Sequence, residues 1–426
     1  MLTVGEIFLG RALDIDYQGQ GIVKHQGYVV FVRGMLTHEE AKIRITQLKK
    51  NYGHGKIVEL IKTSPDRINH SSHVYGSCNL IHLSPYQQLL WQHKTTRETL
   101  KKIMNLDFEV HETITDKKDK FYRNKSVFHV MDVPYLTLGL YHYDNSKLIQ
   151  VEQFVLSDEK TNEALQYLFV NRVIVNPRVL KYIVFRTNEK KEILITLVAN
   201  KENFLGKEEL LDVLKSIEHV VGITLNINQN PNRILGDQSI VLYGENLIVE
   251  RLKDIDVMCS DQSFFQINLP VIEKAYQLIE NEIGKDKIVI DAYSGVGSIG
   301  FYLANKVKKM ILIESSEDSI NMANMTKDKY SFNHFEIIDE RAEKVIHLVD
   351  ADYLIVDPPR NGLTPEFLSG ALTQEYEKIF YLSCDVKTLA RDLVQLSEKY
   401  EVKDIYPLRM FFHTTSLETL VILYHK

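Results

Sequence analysis

Cys384 stands at the end of an apolar run, in Tyr381-Leu382-Ser383-Cys384-Asp385. A strand there would deliver a small polar cluster to the rim of a sheet. A cysteine after such a strand is commonly inert core, but this one follows residues suited to holding a methyl donor. A thiolate can add to C6 of a uracil ring, and the enolate so formed makes C5 able to take a methyl group from a sulfonium. A base must then remove the C5 proton before the cysteine leaves. Glu418, just ahead of the terminal run Leu420-Val421-Ile422-Leu423-Tyr424, is one candidate, and His413 is the other.

The donor residues begin at Val289-Ile290-Asp291-Ala292-Tyr293-Ser294-Gly295-Val296-Gly297-Ser298, where an apolar strand enters a glycine-rich turn. Gly295 and Gly297 would let the backbone approach a ligand that a Cβ would hold away. About twenty residues on, another strand ends in Glu314, whose carboxylate can accept both ribose hydroxyls. Gly295-Val296-Gly297-Ser298-Ile299-Gly300 has the G-x-G-x-x-G spacing, so the turn alone does not separate a dinucleotide from S-adenosylmethionine, and the latter is expected because methylation at C5 needs a sulfonium methyl. Asp357-Pro358-Pro359-Arg360 closes a further apolar run. Two prolines cannot continue a central strand, so the chain must leave the sheet with Asp357 at its rim.

These motifs need a scaffold, and the alternation of short apolar runs with amphipathic stretches after about residue 250 supplies it. Such alternation predicts an α/β fold, a Rossmann-like parallel sheet with helices on both faces and a ligand at the carboxyl ends of its strands. Residues 1–60 read as short strands and tight turns, a small β-barrel. Residues 61–250 read as a central α+β region, with helices expected near 84–104 and 208–217, and residues 251–426 as the catalytic domain.

At 426 residues, two or three domains are expected. The chain is 44% hydrophobic and 25% charged, an ordinary globular composition, with no apolar run long enough to span a membrane as a helix. The amino terminus shows no signal-peptide pattern and there are three cysteines, so a cytoplasmic, monomeric protein is expected. The net charge of −6 argues against a nucleic-acid coat. Local surpluses remain, with ten Lys/Arg against seven Asp/Glu over residues 1–67 and nine against six over 94–125. Such groups can serve a phosphate-binding groove or merely a solvated face.

Taken together, the motifs resemble the family of RNA uridine-C5 methyltransferases, of the 23S rRNA (uracil-5-)-methyltransferase type, over nearly the whole chain. Gly19-Gln20-Gly21-Ile22-Val23-Lys24 and the residues on to Gly34 resemble the RNA-binding barrel called TRAM. Ser263-Phe264-Phe265-Gln266-Ile267-Asn268 resembles the family's F-x-Q-x-N element. The resemblance implies that Gln266, Tyr293, Glu314 and Asp357 contact S-adenosylmethionine, that Cys384 is the nucleophile and that Glu418 is the base. Tyr122-Arg123-Asn124-Lys125 resembles a Y-R-N-K element, which sets Arg123 and Lys125 toward RNA; Phe265 is a candidate to stack on an unstacked base, or equally a core residue. Many relatives carry a four-cysteine iron–sulfur site around C-G-G-C, where this chain reads Tyr75-Gly76-Ser77-Cys78. With Cys78 alone surviving there, neither cluster nor other metal is expected.

Structured RNA is therefore the expected partner, with 23S ribosomal RNA ahead of the T-loop of transfer RNA, and neither DNA nor membrane. A non-catalytic RNA-binding or chaperone protein that keeps the fold is the competing reading. A small-molecule methyltransferase would leave residues 1–250 without a purpose.

Overall fold

The computed structural model describes residues 2–426. Strands β1 (Ile7–Ile15), β2 (Gln20–His25), β3 (Tyr28–Arg33), β4 (Glu40–Leu48) and β5 (Tyr52–Lys62) close into a barrel. Alternate residues point inward, so Phe8, Ala12, Val23, Val30, Val32, Ile43 and Ile45 fill it. Closure leaves no free sheet edge. In the turn from β1 to β2, Asp16 Oδ1 accepts from the amides of Gln18 (2.9 Å) and Gln20 (2.7 Å). That turn is pressed onto the rest of the molecule. Trp91 Nε1 donates to the Asp16 carbonyl at 3.0 Å, and a Cβ on Gly19 would lie 2.6 Å from the Leu80 side chain.

Helix α1 (Pro85–Met104) is capped by Ser84, whose Oγ accepts from Gln87 N, with proline in its first turn. A central sheet follows, built from β6 (Lys125–Val130), β7 (Leu138–Tyr141), β8 (Leu148–Gln150), β9 (Leu180–Thr187), β10 (Ile193–Ala199), β11 (Val220–Ile227) and β12 (Gln238–Gly244). Their order is β12-β11-β10-β9-β6-β7-β8. Helices α2 (Glu159–Asn171) and α3 (Lys207–Lys215) bury Leu165, Leu168, Leu210 and Leu214 in its core. A hairpin, β13 (Leu247–Leu252) with β14 (Ile255–Ser260), leads into the last domain.

The last sheet contains β15 (Ile288–Ala292), β16 (Lys309–Glu314), β17 (Phe335–Asp339), β18 (Tyr353–Val356), β19 (Lys378–Ser383), β20 (Tyr400–Leu408) and β21 (Glu418–His425). The order is β17-β16-β15-β18-β19-β21-β20. β15 to β19 are parallel, and β21 runs antiparallel to both of its neighbours, β19 and β20. The strands are apolar along most of their length because both faces are covered. On one face lie α4 (Leu269–Glu282), α5 (Ser298–Tyr302) and α6 (Glu317–Lys329). On the other lie α7 (Ala342–Val345), α8 (Pro365–Thr373) and α9 (Val386–Leu396), joined by α1 through Trp91 and Leu100. β20 was not anticipated: Tyr400-Glu401-Val402-Lys403-Asp404 mixes polar with apolar residues, as suits a strand at the sheet's edge. Among the described residues, no helix is long and apolar enough to cross a membrane.

Candidate active site

Strand order turns around between β15 and β18, and that switch point is where a parallel sheet opens a crevice. Asp291 in β15, Glu314 at the end of β16, Asp357 after β18 and Cys384 after β19 all reach the same edge, because the four strands are parallel. β21 runs the other way, so its first residue, Glu418, comes to that edge too. Thr419 pairs with Ser383, which sets Glu418 and Cys384 on adjacent strand ends. A cleft of about 600 Å³ brings together Gln266, Asp291, Tyr293, Asp357, Cys384 and Glu418.

The glycine turn is held open by its backbone. Tyr293, Gly295 and Gly297 adopt φ of 63°, 57° and 82°. For a tyrosine this region is unusual and costs on the order of 1–3 kcal/mol. It sends the Tyr293 hydroxyl to Glu343 Oε1 at 2.9 Å. Gly295 meets nothing where a Cβ would be, so its left-handed φ is what calls for glycine. A Cβ on Gly297 would strike Leu312 and Phe301 at 2.8 Å, so this glycine, besides its left-handed φ, lets α5 pack on β16.

Glu314 faces a neighbouring cavity of about 500 Å³ that shares Tyr293 and Pro359 with the main cleft. Its Oε2 accepts from Gly295 N at 2.8 Å, and its Oε1 from Ser315 N and Ser316 N at 2.7 and 2.8 Å. The carboxylate therefore braces the turn and keeps one lone pair, on Oε2, for a ligand. Gln266 Nε2 donates to Asp357 Oδ2 at 3.0 Å.

Burial dominates the electrostatics. It raises the Asp291 carboxyl to about 8, helped by the charges of Asp357 and Glu314. Burial also lifts Asp357 above the usual carboxylate range, against the Gln266 hydrogen bond. Glu418 is held well above it by burial and then by Asp357, with Arg360 opposing. The Cys384 thiol is pushed up to about 12 by burial, Glu418 and Asp357, and Arg360 again opposes. Arg360 lines the cleft, yet sequence reasoning gave it no role beyond its place in the motif.

The three residues expected to face RNA lie in different surroundings. Arg123 lines the cleft. Lys125 is not among the residues lining it: half-buried, it pairs with Arg186 across β6 and β9, and burial lowers its ammonium to about 7. Phe265 is 3% exposed and packed in the core, so it cannot stack on a base from there, whereas Phe264 is 64% exposed and lines the cleft. The Y-R-N-K element also braces the site. Asn124 Nδ2 donates to the Gln266 carbonyl at 3.0 Å, and the Tyr122 hydroxyl to that of Phe412 at 2.9 Å.

His413 is buried away from the cleft, with Nδ1 3.0 Å from Gln88 Nε2 and Nε2 3.3 Å from Asp119. That position leaves Glu418 as the base candidate. The segment carrying Glu418 is held by side chains that sequence reasoning missed. Gln92 Nε2 donates to the carbonyls of Leu408 (2.9 Å) and Glu418 (3.2 Å). Buried Arg409 donates to Gln88 Oε1 and Gln92 Oε1. No local pattern reveals such long-range amide contacts. A third, smaller cavity of about 340 Å³ meets the cleft at Cys384, Arg360 and Ser416, and its wall includes Tyr17 and Gln18 from the barrel turn.

Fold and cleft define the class: a Rossmann-like methyltransferase domain behind an amino-terminal barrel. The tRNA (uracil-5-)-methyltransferase family model matches residues 85–352 and 345–426, and the TRAM domain model matches residues 7–58. The chain belongs to the tRNA (uracil-5-)-methyltransferase family. It is similar to an uncharacterized RNA methyltransferase of Oceanobacillus iheyensis, at 32% identity over 97% of this chain and 95% of that one. A counterpart in Staphylococcus epidermidis is 31% identical over 99% and 98% of the two chains. Among solved structures, the fold is shared with the tRNA (uracil-54, C5)-methyltransferase of Pyrococcus abyssi in complex with S-adenosyl-L-homocysteine. That likeness has a TM-score of 0.78 and 24% identity, covering 97% of this chain and 99% of the other.

Proposed function

We propose that this protein transfers a methyl group from S-adenosylmethionine to C5 of a uridine in structured RNA, with Cys384 as nucleophile and Glu418 as base. The observation that carries the reading is the meeting of a partly exposed thiol with Glu418 and Asp357 beside the glycine turn, in one cleft. The division into a barrel (1–60), a central RNA-binding region (61–250) and a catalytic domain (251–426) belongs to the same proposal.

The cleft suits a cationic donor. Asp291 Oδ1 is buried without a hydrogen-bond partner, and Asp291, Asp357 and Glu418 are all lifted above the usual carboxylate range. Positive charge brought among them offsets both effects. Gln266, Tyr293 and Asp357 would hold the donor on one side and Glu314 its ribose on the other, with Tyr293 and Pro359 walling both cavities. When bound, S-adenosylmethionine supplies a methyl group on a positively charged sulfur.

The chain's own groups do the rest. Cys384 releases its proton to solvent and adds as thiolate to C6, forming an S–C bond while the C5–C6 π electrons move to the O4 enolate. Once C5 carries the methyl group, Glu418 takes the C5 proton, the C5–C6 double bond re-forms, and the thiolate leaves C6. Arg360 is placed to favour the anionic sulfur.

The free protein should hold Cys384 as a thiol at neutral pH. Iodoacetamide alkylation of Cys384 is expected to rise about tenfold per pH unit from neutrality toward pH 11. Arg360→Ala should slow it further at each pH, because the opposing cation is gone. A midpoint near the ordinary cysteine value would contradict this. Glu314→Ala should weaken S-adenosylmethionine binding by calorimetry by roughly 1.5–3 kcal/mol, tenfold or more. Unchanged affinity would remove Glu314 from the site.

We place 23S ribosomal RNA first as substrate, on the family resemblance of the barrel-bearing layout. The likeness to the Pyrococcus abyssi enzyme favours a second reading, a T-loop uridine of transfer RNA. Mapping 5-methyluridine in both RNAs from cells without this protein tests the reading. A position lost from 23S RNA supports the first and one lost from the T-loop the second. No loss from any RNA would favour a non-catalytic protein.

A further inference from the structure

A separate cavity of about 730 Å³ is walled by Arg33 and Lys56 of the barrel, by the segment from Arg67 to His82, and by Tyr143. Its lining includes three permanent cations and no aspartate or glutamate. One cation is neutralised: Arg67 donates to buried Glu39 through Nε (2.5 Å) and Nη2 (2.7 Å). The other two are not. Arg33 lies 4.8 Å over the Tyr143 ring and donates to the Tyr143 carbonyl. Neither Arg33 nor Lys56 makes an ion pair within 4.0 Å among the described residues. His82 also lines the cavity, is 8% exposed, and leaves its buried Nε2 without a partner.

Positive charge without matching carboxylates disfavours a metal ion, and together with a ring nitrogen free to hydrogen-bond it suits a phosphodiester. The volume exceeds that of the catalytic cleft, which is more room than a lone phosphate needs. The two sites share a structural wall. Asn79, which lines the cavity, donates from Nδ2 to Thr415 Oγ1 (2.9 Å) and accepts from Thr415 N at Oδ1 (3.0 Å). Leu80 N donates to the His413 carbonyl at 2.9 Å. Thr415 and Ser416 in turn line the small cavity beside Cys384.

We propose that this cavity receives a phosphate-bearing nucleotide of the substrate RNA at a position flanking the target uridine. The inference rests on the RNA-methylation reading above and adds to it a second point of RNA capture. A strand held there and at Cys384 would be gripped on both sides of the segment Cys78–His82. Lys56 and Arg33 would contact phosphate, and His82 would hydrogen-bond the nucleotide.

The test is RNA binding by fluorescence anisotropy over a range of salt concentrations, with a labelled hairpin bearing a uridine-rich loop and with purified 23S and transfer RNA. Lys56→Ala removes an exposed cation that has no ion pair. It should make the slope of log affinity against log salt shallower by about 0.7, and Arg33→Gln combined with it by about 1.4. The double variant should bind on the order of tenfold more weakly. Its KM for RNA should rise while kcat at saturating RNA stays unchanged. Lys308→Ala, just before β16 and at the end of the strands away from the cleft, should leave slope and affinity as they are.

Lys56→Ala and the double variant retaining the full slope and affinity would overturn the cavity assignment, and methyl transfer by them at unchanged KM would do so while leaving the uridine reading intact. Reduced slopes without methyl transfer by the unaltered protein would instead support the cavity and sink the uridine reading. Failure of the unaltered protein to bind any of these RNAs overturns both.

Discussion

Cys384→Ala should abolish methyl transfer to RNA while leaving S-adenosylmethionine affinity near that of the unaltered protein. Without the sulfur there is no addition at C6, and C5 of an intact uracil is too poor a nucleophile to react. Removing an enzyme's covalent nucleophile costs on the order of a millionfold in kcat where it has been isolated, so residual activity should be undetectable. The donor should still bind, because its proposed contacts come from Gln266, Tyr293, Glu314 and Asp357. The substitution should not unfold the chain either, since Cys384 is only partly buried and has no left-handed backbone to maintain. The measurement pairs incorporation of labelled methyl into RNA with calorimetric titration of the donor. Transfer at about a tenth of the normal rate or better would show that the sulfur is not the nucleophile.

Glu418→Gln should fail at a later step, and visibly so. A neutral amide cannot take the C5 proton, so the methylated ring should remain bonded to Cys384. General bases contribute about 10²–10⁴-fold, and turnover should fall by that factor while a covalent protein–RNA complex accumulates on ordinary uridine. A denaturing gel resolves that complex from free protein. Release of free methylated RNA at the normal rate would mean that another group is the base. His413 is poorly placed to be that group, because its ring is engaged with Gln88 and Asp119. Glu418, by contrast, lines the cleft with Cys384.

The two substitutions separate because of how the sheet is strung, and much of that was legible in advance. Apolar runs ending in Asp291, Glu314, Asp357 and Cys384 implied parallel strands sharing one rim, and the observed sheet brings those ends together. Period and composition reveal strands buried on both faces well. They do not reveal which of two adjacent residues in a loop turns inward. Phe264 and Phe265 are chemically identical, and only the surrounding core decides that Phe265 packs inside while Phe264 faces the cleft. Lys125 is a related case: a lysine at a strand start looks fully solvent-facing, and the fold half-buries it beside Arg186.

Gly297 shows a subtler limit: its spacing was legible, but the packing of Leu312 and Phe301 that also requires a glycine there was not. Long-range amide contacts were invisible altogether. Gln88 and Gln92 lie more than three hundred positions from Arg409, His413 and Glu418 in the chain, and no spacing rule connects them. The same holds for the barrel turn, whose Tyr17 and Gln18 reach the cavity beside Cys384.

The central claim is that the Cys384 sulfur forms a bond to a pyrimidine ring. Incubation with S-adenosylmethionine and RNA carrying 5-fluorouridine tests it directly, because fluorine at C5 cannot leave as a proton and the reaction halts with sulfur attached. Digestion and mass spectrometry should find the Cys384 peptide joined to a methylated fluorouridine nucleotide. An unmodified Cys384 peptide, from protein shown to bind that RNA and to methylate ordinary uridine, would contradict the account.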